Sequence, residues 1–165
     1  MTSTTTMTAE KPSTSPWMAS LYGGLFTALI AVAFSLLLPM SMPILYIPAL
    51  LLLGAGPVLG YQLATKTLGS DWKAIVGGIL GSIIPIVGQL ILWPLFVWLF
   101  DRKKFSFGWL FLGSLLGLVL GFAVFFAIGF LMGQNPYVWV GLAWALAAGM
   151  WGGSAAAFMV GRERA

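Results

Sequence analysis

Two long stretches of the chain contain no charged residue, and they define the pattern of predicted elements. They cover residues 12–65 and 105–161. Each is too long for one transmembrane helix of about 20 residues but long enough for two. Turn-forming residues interrupt the first stretch at 39–43 and the second at 133–136, where we expect one helix to end and the next to begin. The pattern predicts two transmembrane helical hairpins, with spans near 18–38, 44–64, 106–132 and 137–160.

A third apolar segment, residues 74–100, lies between the two hairpins. As one helix it would be about 40 Å long at about 1.5 Å per residue, whereas the hydrocarbon core of a bilayer is about 30 Å thick. The segment therefore forms either a single, strongly tilted crossing or a re-entrant hairpin of two half-helices that turns near 85–89. It is too short for two complete crossings.

The basic residues bear on this choice without deciding it. A single crossing divides the eight Lys and Arg three against five, whereas re-entry places all eight on one side, as the positive-inside rule favours. Irregular backbone inside a bilayer, however, must be shielded by protein or line a wet cavity. We therefore favour the single tilted crossing and keep re-entry as the alternative. Both arrangements place the C-terminus in the cytoplasm, and the expected topology anchors are Arg102, Lys103, Lys104, Arg162 and Arg164.

The remaining residues form the two ends of the chain. Residues 1–16 are polar and rich in Ser and Thr, which predicts a disordered tail. Residues 17–161 form a single transmembrane helical domain, and residues 162–165 form a short basic tail. The predicted fold class is all-α, a polytopic membrane helical bundle with two hairpins flanking the central segment.

Small residues recur at every fourth position along several predicted spans. The pattern is clearest in the fourth span, where the glycines stand among Leu, Phe and Val. Helices inside a bilayer gain little from burial of apolar surface, so close backbone approach along such a face is what favours their association. The predicted helix-packing residues are Gly113, Gly117, Gly121, Gly129, Gly141, Gly149 and Gly153.

Composition excludes many kinds of chemistry. Hydrophobic residues make up 60% of the 165 residues and charged residues only 7%, with a net charge of +4 and no His or Cys. Without these ligands we expect no metal site and no cofactor. The four acidic residues lie far apart at segment ends, so we expect no enzyme. The longest basic run has three residues, which argues against nucleic-acid binding.

These observations favour an accessory or scaffolding subunit of a membrane complex that packs through glycine-faced helices. The expected partners are the lipid bilayer and either other membrane subunits or further copies of this chain. The alternative is a small, oligomeric channel or transporter unit for a neutral solute. None of the twelve charged residues lies inside a predicted span, which argues against ion-coupled transport.

Overall fold

The computed structural model describes residues 14–37, 46–132 and 136–160, and within these ranges the chain is helical with no strand. Most of the polar N-terminal tail and all of the basic C-terminal tail lie outside the described residues. The helices are α1 (Pro16–Leu37), α2 (Tyr46–Leu53), α3 (Ala55–Ala64), α4 (Trp72–Gly81), a π-helical turn (Gly88–Leu92), α5 (Trp93–Phe100), α6 (Phe107–Met132) and α7 (Pro136–Val160).

Four helical segments are long and apolar enough to cross a membrane. They are α1, the α2–α3 pair, α6 and α7, and they stand at the places of the four spans of the predicted hairpins. The predicted bounds at 38 and 44 lie outside the described residues. The second segment is interrupted at Gly54, between α2 and α3. Pro57 explains this interruption, because it lacks the N–H group that would bond the Leu53 carbonyl in a continuous helix.

The long helices pack as antiparallel neighbours. α7 contacts both α1 and α6, and α3 packs on α1. The directions of the helices follow from the residues that meet. Between α1 and α7, Ser20 meets Gly153 and Ser35 meets Gly141. Between α6 and α7, Gly113 meets Phe158 and Gly121 meets Ala147. Consequently α1, α4 and α6 begin, and α3, α5 and α7 end, at the same end of the bundle.

The central segment is a hairpin, so the expectation of a single tilted helix is wrong. α4 packs antiparallel to the π-helical turn and α5, and residues 82–87 form the bend between them. Two features allow the chain to fold back. Ile86 adopts a left-handed backbone conformation at φ 61°, and the glycines of α4 let the two arms meet. A Cβ added at Gly77 would lie 2.8 Å from the Phe96 carbonyl oxygen.

Aromatic residues join the hairpin to the long helices. Trp93 of α5 and Trp151 of α7 are buried and meet edge to face, with ring centroids 5.6 Å apart. Tyr61 of α3 and Phe105, just before α6, form a second such pair at 5.4 Å. The first pair therefore joins the hairpin to α7, and the second joins α3 to the chain that follows the hairpin.

Candidate functional site

The central hairpin has two ends that differ in chemistry. Its mouth consists of residues 70–73 and 100–104, where the arms enter the bundle, and its tip consists of residues 82–87. The mouth carries most of the described charged side chains, whereas the tip is apolar.

An ion pair joins the two arms of the hairpin at the mouth. The Lys104 ammonium group donates to the Asp71 carboxylate, so the start of α4 is tied to the chain that follows α5. The same ammonium lies 5.0 Å from the centre of the Tyr61 ring and 5.7 Å from that of Phe105. Both distances are typical of cation–π contacts, and they fix Lys104 on the protein rather than in solvent.

Gln62 organises the loop that leads into the mouth. Its side chain is fully buried at the end of α3. The amide nitrogen donates to the Asp71 carbonyl at 3.0 Å, and the amide oxygen accepts from the Gly69 N–H at 3.0 Å. Gly69 has φ 80°, a conformation that glycine adopts without strain. One buried amide therefore sets where α4 begins.

Two carboxyl groups share the mouth. Asp71 and Asp101 stand thirty residues apart in the sequence, and folding back brings them close enough to interact. Burial and the neighbouring Asp71 charge raise the pKa of the Asp101 carboxyl above its ordinary value, and Lys104 and Lys73 oppose this effect. Of the two carboxyl groups, Asp71 is the one that is paired with Lys104.

An open depression of about 480 Å³ lies at the mouth. Its walls combine basic, acidic and aromatic side chains from both arms of the hairpin, and its lining residues are Ser70, Asp71, Trp72, Lys73, Phe100, Asp101, Arg102 and Lys103. Arg102 lies with its guanidinium 4.9 Å from the centre of the Trp98 ring. The predicted anchors Arg102, Lys103 and Lys104 thus all belong to the mouth, while Arg162 and Arg164 lie outside the described residues.

The tip lies halfway along the bundle. Ile86 and Gln89 line a small cavity of about 70 Å³ together with residues from the middle of α6 and α7, among them Gly121, Ala147 and Trp151. Gln89 belongs to the π-helical turn and is buried. Such turns are frequent at functional sites, and a left-handed β-branched residue such as Ile86 is strained.

Trp93 fixes the hairpin to the interruption between α2 and α3. Its indole N–H donates to the Gly54 carbonyl at 2.8 Å, and both groups are buried. Three other buried polar atoms lack a hydrogen-bond partner within the described part of the chain: Ser82 Oγ, Ser114 Oγ and Trp151 Nε1. The tip and its surroundings therefore contain one buried hydrogen bond between helices and three buried polar atoms without a partner among the described residues.

The predicted glycines of α6 face α7. A Cβ added at Gly113 would lie 2.7 Å from the Phe158 Cβ, and one at Gly117 would lie 2.7 Å from the Trp151 Cα. Gly121 is equally close to the Ala147 carbonyl oxygen, at 2.7 Å. The Ser154 hydroxyl, in addition, donates to the Gly113 carbonyl at 2.8 Å.

The predicted glycines of α7 face α1 to different degrees. An added Cβ would lie 2.8 Å from the Ser20 carbonyl oxygen at Gly153 and 3.2 Å from the Ala28 Cβ at Gly149. At Gly141 the nearest atom is the Ser35 Cβ at 3.9 Å, an ordinary contact. Gly129 is partly buried on α6.

Three residues that organise the site were not singled out as site residues from the sequence. Gln62 is one of the few side-chain amides of the chain, which was the available signal, but nothing local indicates its two backbone partners. Trp93 resembles any other tryptophan within an apolar segment. Gly54 precedes a proline by three residues. This spacing indicates a helix interruption, but it does not indicate that the Trp93 indole donates to the Gly54 carbonyl.

The comparisons with known proteins identify no relative. No protein-family model, curated protein or solved structure matches this chain.

Proposed function

We propose that this protein is a non-catalytic accessory or scaffolding subunit of a membrane complex. Four apolar helical segments are compatible with a multi-pass membrane protein. Among the described residues, the ionisable side chains other than the tyrosines belong to the loops and the first turn of α4 at one end of the bundle. That arrangement supports a body held in the bilayer rather than a path for ions across it.

The proposed orientation places the mouth of the hairpin in the cytoplasm. With α4 and α5 folded back, the four remaining segments form two hairpins whose charged ends all lie on the mouth side. The positive-inside rule favours such a chain with its basic end, and hence the C-terminus, in the cytoplasm. The tip of the hairpin then reaches about 15 Å into the bilayer, because α4 has ten residues at about 1.5 Å each.

The accessory role is supported above all by the exposed outer face of α6. Only 11% of its most apolar stretch is buried inside the protein, compared with 50% or more for α2–α3 and α7. A row of phenylalanines spaced by four residues runs along this face, and their exposed fractions rise from 42% at Phe122 to 68% at Phe126 and 89% at Phe130. Such a row offers large flat groups for packing against a helix of another subunit.

The test is to purify the tagged full-length protein from its native membrane in a mild detergent and to identify the proteins that copurify. We expect stoichiometric recovery of at least one other membrane subunit. The paired substitutions Phe126→Ala and Phe130→Ala should release it without lowering the thermal stability of the chain itself.

The matched control is Leu25→Ala with Leu29→Ala on the exposed face of α1, where the exposed fractions are 54% and 55%. This pair removes exposed apolar side chains, although less exposed ones than Phe126 and Phe130, from a different helix and should leave the complex intact. Recovery of the chain alone from wild-type membranes would contradict the accessory role, as would equal loss of the partner in both pairs.

The tip of the hairpin favours a second candidate, a channel or transporter unit for a neutral solute. A broken backbone with a strained residue and a buried amide, halfway through a bundle, is an arrangement that transport proteins use to expose polar groups at mid-membrane. Here Ile86 and Gln89 line the cavity at that level. The cavity is small, however, and its walls are mostly apolar.

Reconstitution into liposomes tests this candidate. Flux of a small neutral solute through the wild-type protein, lost on Gln89→Leu but not on Lys66→Gln, would favour transport, because Lys66 is exposed in the loop after α3 and not at the tip. Wild-type liposomes that are no more permeable than protein-free liposomes would exclude it.

A further inference from the structure

Folding back of the hairpin creates a cluster of basic residues that the sequence does not show. Arg102 and Lys103 are consecutive, but Lys73 lies almost thirty residues earlier, and the three line one depression of about 480 Å³. With Lys104 they make four basic side chains at a single place. Clusters of about four to eight such side chains next to a membrane helix are typical of anionic-lipid recognition, and one of these four, Lys104, is engaged in an ion pair.

The charges of the depression do not cancel. Asp71 is paired with Lys104, which removes both from the count. Lys73 and Lys103 form no ion pair with any described residue, and Arg102 lies over the Trp98 ring. Among the described residues, these three cations therefore face one remaining carboxyl group, that of Asp101, so the described lining of the depression has an excess of positive charge.

Two further features suit a phosphate group in particular. The first turn of α4 forms one wall, and its Asp71 side chain makes no capping hydrogen bond to it. The N–H groups of this turn therefore add a favourable potential for an anion. The Ser70 hydroxyl lies on the same wall, although it donates to the Thr67 carbonyl at 2.6 Å.

The surroundings of the depression indicate a lipid rather than a free anion. Trp72 and Leu68 are exposed by 59% and 62% beside the mouth, and Phe100 forms part of the wall. Exposed tryptophan next to basic residues is typical of the interface between bilayer and water. A phospholipid would place its acyl chains along these apolar side chains and its phosphate among the cations.

We propose that the mouth of the central hairpin binds the phosphate headgroup of an anionic phospholipid. Lys73, Arg102 and Lys103 contact the phosphate, and Trp72 and Phe100 contact the part of the lipid next to the headgroup. The lipid thereby bridges both arms of the hairpin, because Lys73 belongs to α4 and the other two cations follow α5.

The experiment measures lipid binding to the full-length protein in detergent by native mass spectrometry. Phosphatidylglycerol, phosphatidylcholine and inorganic phosphate are titrated separately at the same ionic strength. We expect phosphatidylglycerol to bind more tightly than phosphatidylcholine. Because each basic residue near a membrane contributes about a fivefold gain in affinity for anionic lipid, Lys73→Gln with Lys103→Gln should weaken phosphatidylglycerol binding by about 25-fold.

Lys66→Gln is the matched control, because Lys66 is an exposed basic residue at the same end of the bundle that does not line the depression. It should leave phosphatidylglycerol binding within about twofold of wild type. Three results would overturn the proposal: equal binding of the two lipids, equal weakening by Lys66→Gln and by the double substitution, or occupation of the site by inorganic phosphate in competition with the lipid. The last result would assign the depression to a soluble anion.

Discussion

Replacement of Trp93 by Phe removes the one described hydrogen bond that joins α5 to the interruption between α2 and α3. The Trp93 indole is fully buried and its N–H donates to the Gly54 carbonyl at 2.8 Å. Phenylalanine keeps an aromatic ring at this position but has no donor. The Gly54 carbonyl then loses its indole partner in a region that excludes water.

The expected cost has two parts. Hydrogen bonds between membrane helices contribute about 0.6 kcal/mol on average and up to about 1.7 kcal/mol. The smaller ring also weakens the edge-to-face contact with Trp151, whose centroid is 5.6 Å away, and such pairs contribute about 0.5–1.5 kcal/mol. We therefore expect Trp93→Phe to lower the free energy of unfolding by about 1–3 kcal/mol.

Reversible unfolding in mixed micelles, as detergent is exchanged for sodium dodecyl sulfate, measures this difference. Trp72→Phe is the control, because Trp72 is exposed by 59% and makes no described hydrogen bond. We expect that control to change the free energy of unfolding by less than about 0.5 kcal/mol. If the two variants unfold with the same free energy, Trp93 does not hold the hairpin in the way that its contacts indicate.

Three further predictions follow from the packing and the charges. Gly117→Ile should lower the thermal stability in detergent, since an added Cβ already lies 2.7 Å from the Trp151 Cα. Gly108→Ala should be neutral or stabilising, because a Cβ at Gly108 has no neighbour within 4 Å. Equal melting temperatures of the two variants would contradict this reasoning. Single cysteines at Ser70 and Lys103 should react with an impermeant maleimide from the same side of the membrane, and labelling from opposite sides would refute the folded-back hairpin. Because the folded-state pKa of Asp101 is raised, the protein loses stability as pH rises from about 3.8 through that pKa. Asp101→Asn should therefore be more stable than wild type at pH 7, and this advantage should vanish below about pH 4. An advantage that is independent of pH would contradict the assigned cause.

The outer hairpins were predictable because their signal is local. A helix long enough to cross a bilayer needs an unbroken apolar run, and charged residues or prolines at its ends are visible in the sequence. The observed starts of α1, α6 and α7 follow such residues closely. The interruption at Gly54 is also local, since Pro57 causes it, and it was missed because the apolar composition continues across it.

The path of the central segment was not predictable, because both alternatives have the same composition. An apolar run of this length looks alike as one tilted helix and as two half-helices. What separates them is whether the arms fit each other, and this depends on Gly77 and Gly81 meeting α5. The sequence shows that these glycines share a face, but it does not indicate which helix packs against that face. The same applies to the basic cluster, since nothing local brings Lys73 to Arg102.

The expectation of a single crossing rests on the need of irregular backbone in a bilayer for shielding by protein. The bend satisfies much of this need itself. The Val87 N–H donates to the Pro85 carbonyl at 2.6 Å, the Gly88 N–H to the Ile84 carbonyl at 2.9 Å and the Leu90 N–H to the Ile86 carbonyl at 2.8 Å. The side chains that it exposes are isoleucine, valine and proline, all of which are apolar. A bend with internal hydrogen bonds and apolar side chains would therefore cost less in a bilayer than irregular backbone does in general, so the need for shielding does not stand against a folded-back segment.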